Sequence, residues 1–322
     1  MTDQAHALVY SAPGIAGIEA VDLPDLGNEM VEVETRFSGL SRGTERLIFR
    51  GQVPESEWQR MRAPLQTGDF PFPVRYGYAA VGRVVAGPGE GTDVFCLHPH
   101  QTRFRVDASW AVPVPPDVPA ARAILAANME TALNAVWDAR PKPGDRCLVV
   151  GAGMVGWLIT MLLSRRSDLS VLLTDLAAET GALANDLNVS FLTPDDVPAQ
   201  AFDLAFHCAA APAGLQTAID ALDFEGRVIE LSWYGEKPVP VVLGGNFHAN
   251  RLSIICSQVG HVAPVRRAGT SHRDRLVLAL AALADERLDR LITTETPFHD
   301  LPAALPGLLS DDAPGIATRI VY

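Results

Sequence analysis

The stretch that most restricts the fold of this chain is 146–175, RCLVVGAGMVGWLITMLLSRRSDLSVLLTD. It begins with an apolar run typical of a buried strand, turns at three glycines spaced G-x-G-x-x-G, and continues with an apolar segment of helical length. A second apolar run, 171–173, then ends at Asp175. Strand, glycine turn, helix, strand and acid, in that order, are typical of a dinucleotide-binding βαβ unit.

Each glycine of the turn has its own physical purpose. Gly151 permits the tight turn out of the strand, Gly153 leaves its backbone open to a pyrophosphate, and Gly156 lets the helix pack against the sheet. The first helical amides, at Met154 and Val155, lack intrahelical partners and carry a partial positive charge that favours phosphate. We therefore predict that these five residues bind a dinucleotide; the alternative is a turn that serves packing alone.

The acid after the second strand bears on which cofactor is bound. Asp175 lies 19 residues after Gly156, where a carboxylate accepts hydrogen bonds from the adenosine ribose and repels a 2′-phosphate. Arg165 and Arg166 lie in the helix and not directly after Asp175, where a 2′-phosphate clamp is expected. The sequence therefore predicts NAD(H) in preference to NADP(H).

Composition limits the class of protein. A length of 322 residues is sufficient for two domains and a large core. The net charge of −12 argues against nucleic-acid and membrane partners, no apolar stretch is long enough for a membrane span, and the N-terminus MTDQAHALVYS lacks a secretory pattern. The four cysteines are far apart in apolar runs, which predicts buried free thiols. We predict a cytoplasmic protein that acts on a small molecule.

The order of elements along the chain predicts an α/β protein with two domains. Residues 1–119 are rich in strand patterns and end in the proline-rich connector VPVPPDVP. Residues 120–265 alternate strands and helices, which predicts a doubly wound parallel sheet. The last residues, GIATRIVY, have the pattern of a strand, and we expect the segment 266–322 to complete the first domain.

Several motifs resemble the medium-chain dehydrogenase/reductase superfamily. The matching stretches are GLSRGTE (39–45), YGYAAVG (76–82), ANMETALNAVWD (127–138), GAGMVG (151–156) and 226–260. The resemblance implies a GroES-like β-domain, a Rossmann domain, a nicotinamide cofactor and a homodimer formed through Rossmann sheet edges. Within the superfamily, SGLSRGTERLIF is most similar to bacteriochlorophyllide hydroxyethyl dehydrogenases, which are grouped with threonine dehydrogenases, although the 52–75 stretch departs from them.

The motifs that hold zinc in this superfamily are altered here. Zinc-dependent members carry a cysteine in the first motif, Gly-His-Glu in the second, and a cysteine or glutamate in the third. The first motif, Ser41–Glu45, has no cysteine, the second is Gly77-Tyr78-Ala79, and only Glu130 of the third remains a possible ligand. The four-cysteine structural loop is also missing. We predict a zinc-free branch; the alternative is a metal held by His98, His100 and Glu130.

Three residues are candidates for the chemistry. By resemblance, Thr44 would hydrogen-bond the substrate oxygen and relay its proton. Tyr78 stands where a zinc-binding histidine is found and would donate to an oxyanion, and Glu130 would act as a base. Each has a structural alternative: a hydroxyl that stabilises a turn, a ring that fills the space of the metal, and a buried acid. For Glu45 we expect a salt bridge to an arginine.

Further binding residues are implied less directly. By resemblance, Cys208 and Ala209 lie under the adenosine half of the cofactor, and Ser232 lies near the nicotinamide half. The span 42–75 contains six arginines, which suit capture of an anionic substrate, although a solvated face with local ion pairs is the alternative.

Together these features predict an NAD(H)-dependent oxidoreductase that interconverts an alcohol and a carbonyl without catalytic zinc. One alternative is a reductase of activated double bonds, of the enone or quinone type, which usually prefers NADPH. Another is a non-catalytic NAD(H)-binding sensor that has lost its metal ligands together with its activity.

Overall fold

The computed structural model describes residues 4–322, and the chain divides into two compact units. Unit 1 consists of Met1–Ala127 and Leu283–Tyr322, and unit 2 consists of Asn128–Ala282. Unit 1 is therefore discontinuous in sequence, with all of unit 2 inserted into it. The domain boundaries drawn from the sequence, at 119/120 and 265/266, stay predictions.

The first part of unit 1 is mostly β-structure. Its elements are β1 (Gln4–Ala12), β2 (Ile15–Asp22), β3 (Met30–Leu40), α1 (Arg42–Phe49), β4 (Thr67–Gly68), β5 (Val74–Arg75), β6 (Ala80–Ala86), β7 (Asp93–Cys96), β8 (Arg103–Asp107), β9 (Val112–Pro113) and α2 (Ala120–Ala123). The alternation of β3 buries Val31 and Val33 against Phe104, so apolar side chains of several strands form one core. Between α1 and β4 the chain forms a short 3₁₀ turn, Glu55–Glu57, and the Trp58 indole N–H donates to the Val53 carbonyl.

Unit 2 is an alternating α/β unit. Its elements are α3 (Ala126–Ala139), which begins just before the unit boundary, β10 (Arg146–Val150), α4 (Met154–Leu163), β11 (Ser170–Thr174), α5 (Thr180–Asp186), β12 (Ser190–Leu192), β13 (Phe202–His207), α6 (Pro212–Ala221), β14 (Leu222–Glu230), α7 (Asn246–Ala249), β15 (Ser253–Cys256) and α8 (His272–Ala282).

The sheet of unit 2 is entirely parallel, with the strand order β12-β11-β10-β13-β14-β15. This order confirms the predicted doubly wound sheet. Strands β10, β11 and β12 follow one another toward one edge, and β13, β14 and β15 toward the other, so the switch point lies between β10 and β13. Strand β10 is apolar throughout because Cys147–Val150 are all buried, as expected for a central parallel strand. Ligands of such sheets bind beyond the carboxyl ends of the strands at the switch point, where the glycine turn lies.

The chain returns to unit 1 with β16 (Ile292–Pro297), α9 (Leu301–Leu308) and β17 (Ala317–Val321). Strand β17 pairs antiparallel with β3, in register Thr318 with Leu40, so the predicted return strand is confirmed. The larger sheet of unit 1 has the order β16-β17-β3-β6-β7-β9, with β8 also on β3, and the smaller sheet has the order β2-β1-β5-β4.

The structure tests two predictions that were made from composition. Within residues 4–322, no helix has the length and apolar character needed to cross a membrane. The cysteines are free, and Cys96 and Cys147 are buried as expected. The prediction is wrong for Cys256, which is exposed because β15 is the edge strand of its sheet, and Cys208 is only half-buried.

Candidate functional site

The three glycines of the turn between β10 and α4 differ in how closely other atoms of the fold approach them. A Cβ on Gly151, whose φ is +103°, would lie 2.9 Å from the Ala209 nitrogen, and one on Gly156 would lie 1.8 Å from the Gly151 oxygen. These two glycines are therefore required by packing. Gly153 has nothing within 4 Å of the corresponding position, so the fold alone does not explain it.

The open position lies at the beginning of a ten-residue helix. Gly153 is extended (φ −70°, ψ 179°) and caps α4 without a side chain, so the first amides, including those of Met154 and Val155, have no side-chain cap. Bare backbone next to uncapped amides is what a pyrophosphate requires. These residues therefore fit the phosphates of a dinucleotide.

Asp175 lies directly after β11 and beside the glycine turn. Its carboxylate accepts the N–H of Ala152 at 2.6 Å through one oxygen and the N–H of Ala177 at 2.9 Å through the other. Each oxygen keeps a further acceptor position, because a carboxylate accepts up to about four hydrogen bonds. Because the side chain is only half-buried, these two remaining positions are accessible to the two hydroxyls of a ribose.

The other predicted cofactor residues lie at the same edge of the sheet. The Cys208 N–H donates to the Val150 carbonyl at 2.8 Å, and Ala209 packs against Gly151. Ser232 follows β14, and its Oγ accepts the N–H of Ala210 at 3.0 Å. Beyond the carboxyl ends of the parallel strands the structure thus brings together the predicted residues: Gly151, Gly153, Met154, Val155, Gly156, Asp175, Cys208, Ala209 and Ser232.

In unit 1, three hydroxyl groups form a cluster made of Ser41, Thr44 and Tyr78. The Tyr78 phenol donates to Ser41 Oγ, and it lies 3.3 Å from Thr44 Oγ1. Burial raises the pKa of Tyr78, and the hydrogen bonds to Ser41 and Thr44 offset this only in part. The phenol is therefore protonated at neutral pH and is available as a donor.

The start of α1 explains why Ser41 is free to accept from Tyr78. Ser41 is the N-cap residue, yet its hydroxyl does not cap the helix. Glu45, four residues further on, instead accepts the Ser41 N–H at 2.7 Å through Oε1. The Ser41 hydroxyl is left to face Tyr78.

Glu45 is fully buried, and it holds Ser41 of the hydroxyl cluster in place by accepting the Ser41 N–H. Its Oε2 accepts the Tyr10 hydroxyl at 2.8 Å and lies 3.0 Å from His100 Nε2. His100 Nδ1 in turn lies 2.7 Å from Ser38 Oγ. The expected salt bridge of Glu45 to an arginine is therefore wrong. Sequence reasoning missed Tyr10, which lies on β1, and Ser38, which lies near the end of β3, because neither carries a local signal.

The donor set of unit 1 does not fit a catalytic zinc. Ser41 and Tyr78 bond to each other, and neither supplies the thiolate or imidazole that such a site normally takes. His98 stacks on Phe104 with ring centroids 3.9 Å apart, burial lowers its pKa to about 4, and His100 bonds to Glu45 and Ser38. Across residues 4–322, no three His, Cys, Asp or Glu side chains are grouped as a metal site.

Glu130 lies in unit 2 and is engaged in a buried ion pair. Arg275 Nε donates to Glu130 Oε1 at 2.9 Å, and its other nitrogens reach Asn134 Oδ1 at 2.7 Å and the Val259 carbonyl at 2.5 Å. Both charged side chains are almost fully buried. Burial raises the pKa of Glu130 although Arg275 opposes the shift. The geometry favours the structural alternative for this residue, and its catalytic role stays a prediction.

Most arginines of the 42–75 span are occupied. Arg42 and Arg46 of α1, and Arg50 directly after it, donate to carbonyls of 309–314, and Arg46 and Arg50 also pair with Asp311. Arg60 pairs with Glu57, and Arg62 with Asp69. Within the described residues the Arg75 guanidinium makes no hydrogen bond or ion pair, although the charge of Glu19 acts on it. The anionic-substrate interpretation therefore depends on this half-buried side chain.

Comparisons with known proteins agree with this architecture, although no protein-family model matches the chain. The chain is 25% identical to a D-guloside 3-dehydrogenase of Shigella flexneri over 286 residues, which are 78% of this chain and 80% of that enzyme. It is also 25% identical to an (R,R)-butanediol dehydrogenase of Saccharomyces cerevisiae over 142 residues, which are 40% of this chain and only 37% of that enzyme.

A solved structure extends the comparison to the whole chain. An alcohol dehydrogenase of Escherichia coli CFT073, crystallised with NADH, has a TM-score of 0.78 at 15% identity, covering 99% of this chain and 100% of its own. The predicted fold, a GroES-like β-domain plus a Rossmann domain, is thereby confirmed. The similarity to bacteriochlorophyllide hydroxyethyl and threonine dehydrogenases stays a prediction.

Proposed function

We propose that this chain, which belongs with the medium-chain dehydrogenase/reductase superfamily, is an NAD(H)-dependent oxidoreductase that interconverts an alcohol and a carbonyl without catalytic zinc. The observation that carries the proposal is the hydrogen bond from Tyr78 to Ser41. It joins the two motifs that, by resemblance, hold the metal in zinc-dependent members. A protonated phenol there replaces the electrophile that the metal provides elsewhere.

The cofactor half of the proposal is supported by the edge of unit 2. Bound NAD(H) would supply or accept the hydride. The open backbone at Gly153 and the uncapped amides of α4 would hold the pyrophosphate, and the remaining acceptor positions of Asp175 would bind the ribose hydroxyls. A carboxylate at that point repels a 2′-phosphate, which supports NAD(H) over NADP(H).

In the reducing direction, the phenol of Tyr78 would turn its O–H from Ser41 to the substrate carbonyl and pass its proton to the oxygen as negative charge develops there. The Ser41 and Thr44 hydroxyls would then donate to the phenolate that forms. Ser41 and Thr44 keep the phenol aimed through their hydroxyls, and Ser41 is itself fixed by Glu45. Because its pKa is raised, Tyr78 holds its proton at neutral pH and is a better donor than base.

The substrate is proposed only by class. The relatives named above act on a butanediol and a guloside, so secondary alcohols of diols and sugars, and the matching ketones, are the first compounds to test. The half-buried guanidinium of Arg75 adds oxo acids to the panel, because arginine binds carboxylates through two parallel hydrogen bonds.

Activity assays separate this function from its alternatives. Wild-type protein, Tyr78→Phe and the control Tyr76→Phe are assayed for NADH oxidation with the carbonyl panel and for NADH binding. Tyr76 packs edge-on against Tyr78 with centroids 5.9 Å apart, but it is outside the hydroxyl cluster. We expect Tyr78→Phe to lower kcat/KM by about 10²–10³, as loss of an oxyanion donor does, with NADH affinity unchanged.

Other outcomes would identify the alternatives. Tight NADH binding without turnover, and with no effect of Tyr78→Phe, would indicate a sensor. Turnover of enones or quinones with NADPH, and none of ketones, would indicate a double-bond reductase.

Metal content tests the zinc-free part of the proposal. Protein purified without a metal-affinity tag should contain far less than one zinc per chain and keep its activity in a chelator. Close to one zinc per chain, with activity lost on chelation, would overturn this part, and His98 and His100 would then be mutated first.

We also propose a homodimer formed through the edge of the unit 2 sheet. Strand β15 ends that sheet, and it leaves Ile254 38% exposed and Cys256 exposed. An unpaired edge with apolar side chains is suited to pairing with a second copy. Light scattering should give twice the chain mass for the wild type and the monomer mass for Ile254→Lys; a monomeric wild type would contradict the proposal.

A further inference from the structure

We propose that His207 and Glu230 are positioning residues that hold the two cofactor loops, 208–211 and 231–234, in the arrangement that binds NAD(H). The inference deepens the proposed function and rests on cofactor binding by unit 2. Neither residue was among the predicted site residues, and neither has a part in the reaction described above.

The two side chains form a buried pair at the ends of adjacent strands. His207 is the last residue of β13, Glu230 is the last of β14, and the two are register partners. His207 Nδ1 lies 2.9 and 3.0 Å from the two Glu230 oxygens. An ionised carboxylate only accepts hydrogen bonds, so the imidazole carries its hydrogen on Nδ1 and donates it to Glu230.

Within residues 4–322, the Nε2 nitrogen of His207 makes no hydrogen bond of this kind. His207 is fully buried, and its Nε2 has no hydrogen-bond partner within the described residues. Gly214 of α6 passes so close that a Cβ there would lie 2.9 Å from Nε2. A buried nitrogen without a partner is costly, so the ring is retained for what Nδ1 does.

From Glu230 a chain of hydrogen bonds reaches both loops. Glu230 Oε1 accepts the Ser232 N–H at 2.7 Å, and Ser232 Oγ accepts the Ala210 N–H at 3.0 Å. Ala210 has a φ of +51°, a conformation that alanine adopts only when its surroundings enforce it. Ser232 thus links the loop after β14 to the loop after β13, and Glu230 fixes Ser232.

Two further contacts connect this link to the cofactor edge. Tyr234 reaches Glu230 Oε2 at 3.4 Å, and burial together with the Glu230 charge raises its pKa to about 12, so its hydroxyl stays a donor. Ala209 lies against Gly151, where a Cβ would meet its nitrogen at 2.9 Å. A shift of loop 208–211 would therefore alter the surroundings of the glycine turn itself.

Asparagine and glutamine at position 207 give a sharp test. The amide of His207→Asn lies near the position of Nδ1 and still donates to Glu230, whereas the amide of His207→Gln lies near Nε2 and does not. NADH dissociation constants are measured by fluorescence titration, with His248→Gln, an exposed histidine of unit 2, as the matched control. We expect His207→Asn and the control to bind within about threefold of wild type and His207→Gln about tenfold more weakly or worse, as for one lost hydrogen bond to a charged group.

The outcomes separate this inference from the proposed function. Wild type that does not bind NADH contradicts the function itself. Wild type that binds, with His207→Gln binding equally well, overturns the positioning role, as does an Asn variant that is as weak as the Gln variant. Thermal unfolding is recorded for each protein. If His207→Gln is unfolded, Ser232→Ala, which removes the hydroxyl that accepts the Ala210 N–H and lies 3.3 Å from His207 Nδ1, should weaken NADH binding about tenfold, and unchanged binding would overturn the proposal.

Discussion

Replacing Gly153 by valine should separate cofactor binding from folding. A Cβ at this position meets nothing within 4 Å, and the backbone there (φ −70°, ψ 179°) is extended, which valine readily adopts. The free energy of unfolding should therefore change by no more than about 1 kcal/mol. The unfolded-state contribution favours the variant, because valine has less freedom than glycine in the unfolded chain.

The cost in binding is much larger. A phosphate oxygen must come within about 2.9 Å of the amides at the start of α4, and the valine methyl groups occupy that space. Two hydrogen bonds to a charged group are worth about 1.5–3 kcal/mol each. Their loss amounts to about 3–6 kcal/mol, which is about 10²- to 10⁴-fold in the dissociation constant of NADH.

NADH titration and thermal unfolding of three variants provide the assay. Gly244→Val is the control, because Gly244 in unit 2 also has nothing within 4 Å of a Cβ. Gly156→Ala is the opposite case and should lose stability as well as binding, since its Cβ would lie 1.8 Å from the Gly151 oxygen. If Gly153→Val binds NADH like the wild type, the open position does not serve the phosphates and the reasoning is refuted.

Three further predictions follow from single contacts. Asp175→Ala should weaken NADH binding and reduce the preference over NADPH, and an unchanged preference in paired titrations would remove Asp175 from this role. Glu130→Ala should lower the free energy of unfolding in urea by about 3–5 kcal/mol, because it leaves Arg275 buried without its ion pair; a loss below 1 kcal/mol would contradict this. The Arg146 guanidinium holds the pKa of Asp203 below its usual range, so this carboxylate stabilises the fold above about pH 4 and the contribution is lost as pH falls. Asp203→Asn should therefore make stability less sensitive to pH below that value, as read from acid titrations of unfolding.

The sequence predicts the glycine turn well because its physics is local. The three glycines, the helix and the acid lie within 30 residues, and the spacing of each is set by the turn itself. The parallel sheet follows from the same alternation of strands and helices. The hydroxyl groups of Thr44 and Tyr78 were found because two motifs could be compared with a family.

The anchors of the site could not be predicted in this way. Glu45 bonds to Tyr10 and to His100, 35 and 55 residues away, and no periodicity relates these positions. Glu130 has a conspicuous place in its motif, but its partner Arg275 is 145 residues further along the chain. Burial converts such distant polar residues into pairs, and only the tertiary structure shows which ones meet.

The interrupted course of unit 1 has a consequence for how the chain reaches this structure during synthesis. Strand β3 is synthesised early, but its neighbour β17 is synthesised only after all of unit 2. Until then, the edge of β3 that pairs with β17 has no partner in the nascent chain. Unit 2 is continuous and can fold before that. Its ion pair between Glu130 and Arg275 joins positions close to the two ends of the inserted segment. Once this pair forms, the long connection from β3 to β17 becomes a short one, which lowers the entropy cost of closing the sheet.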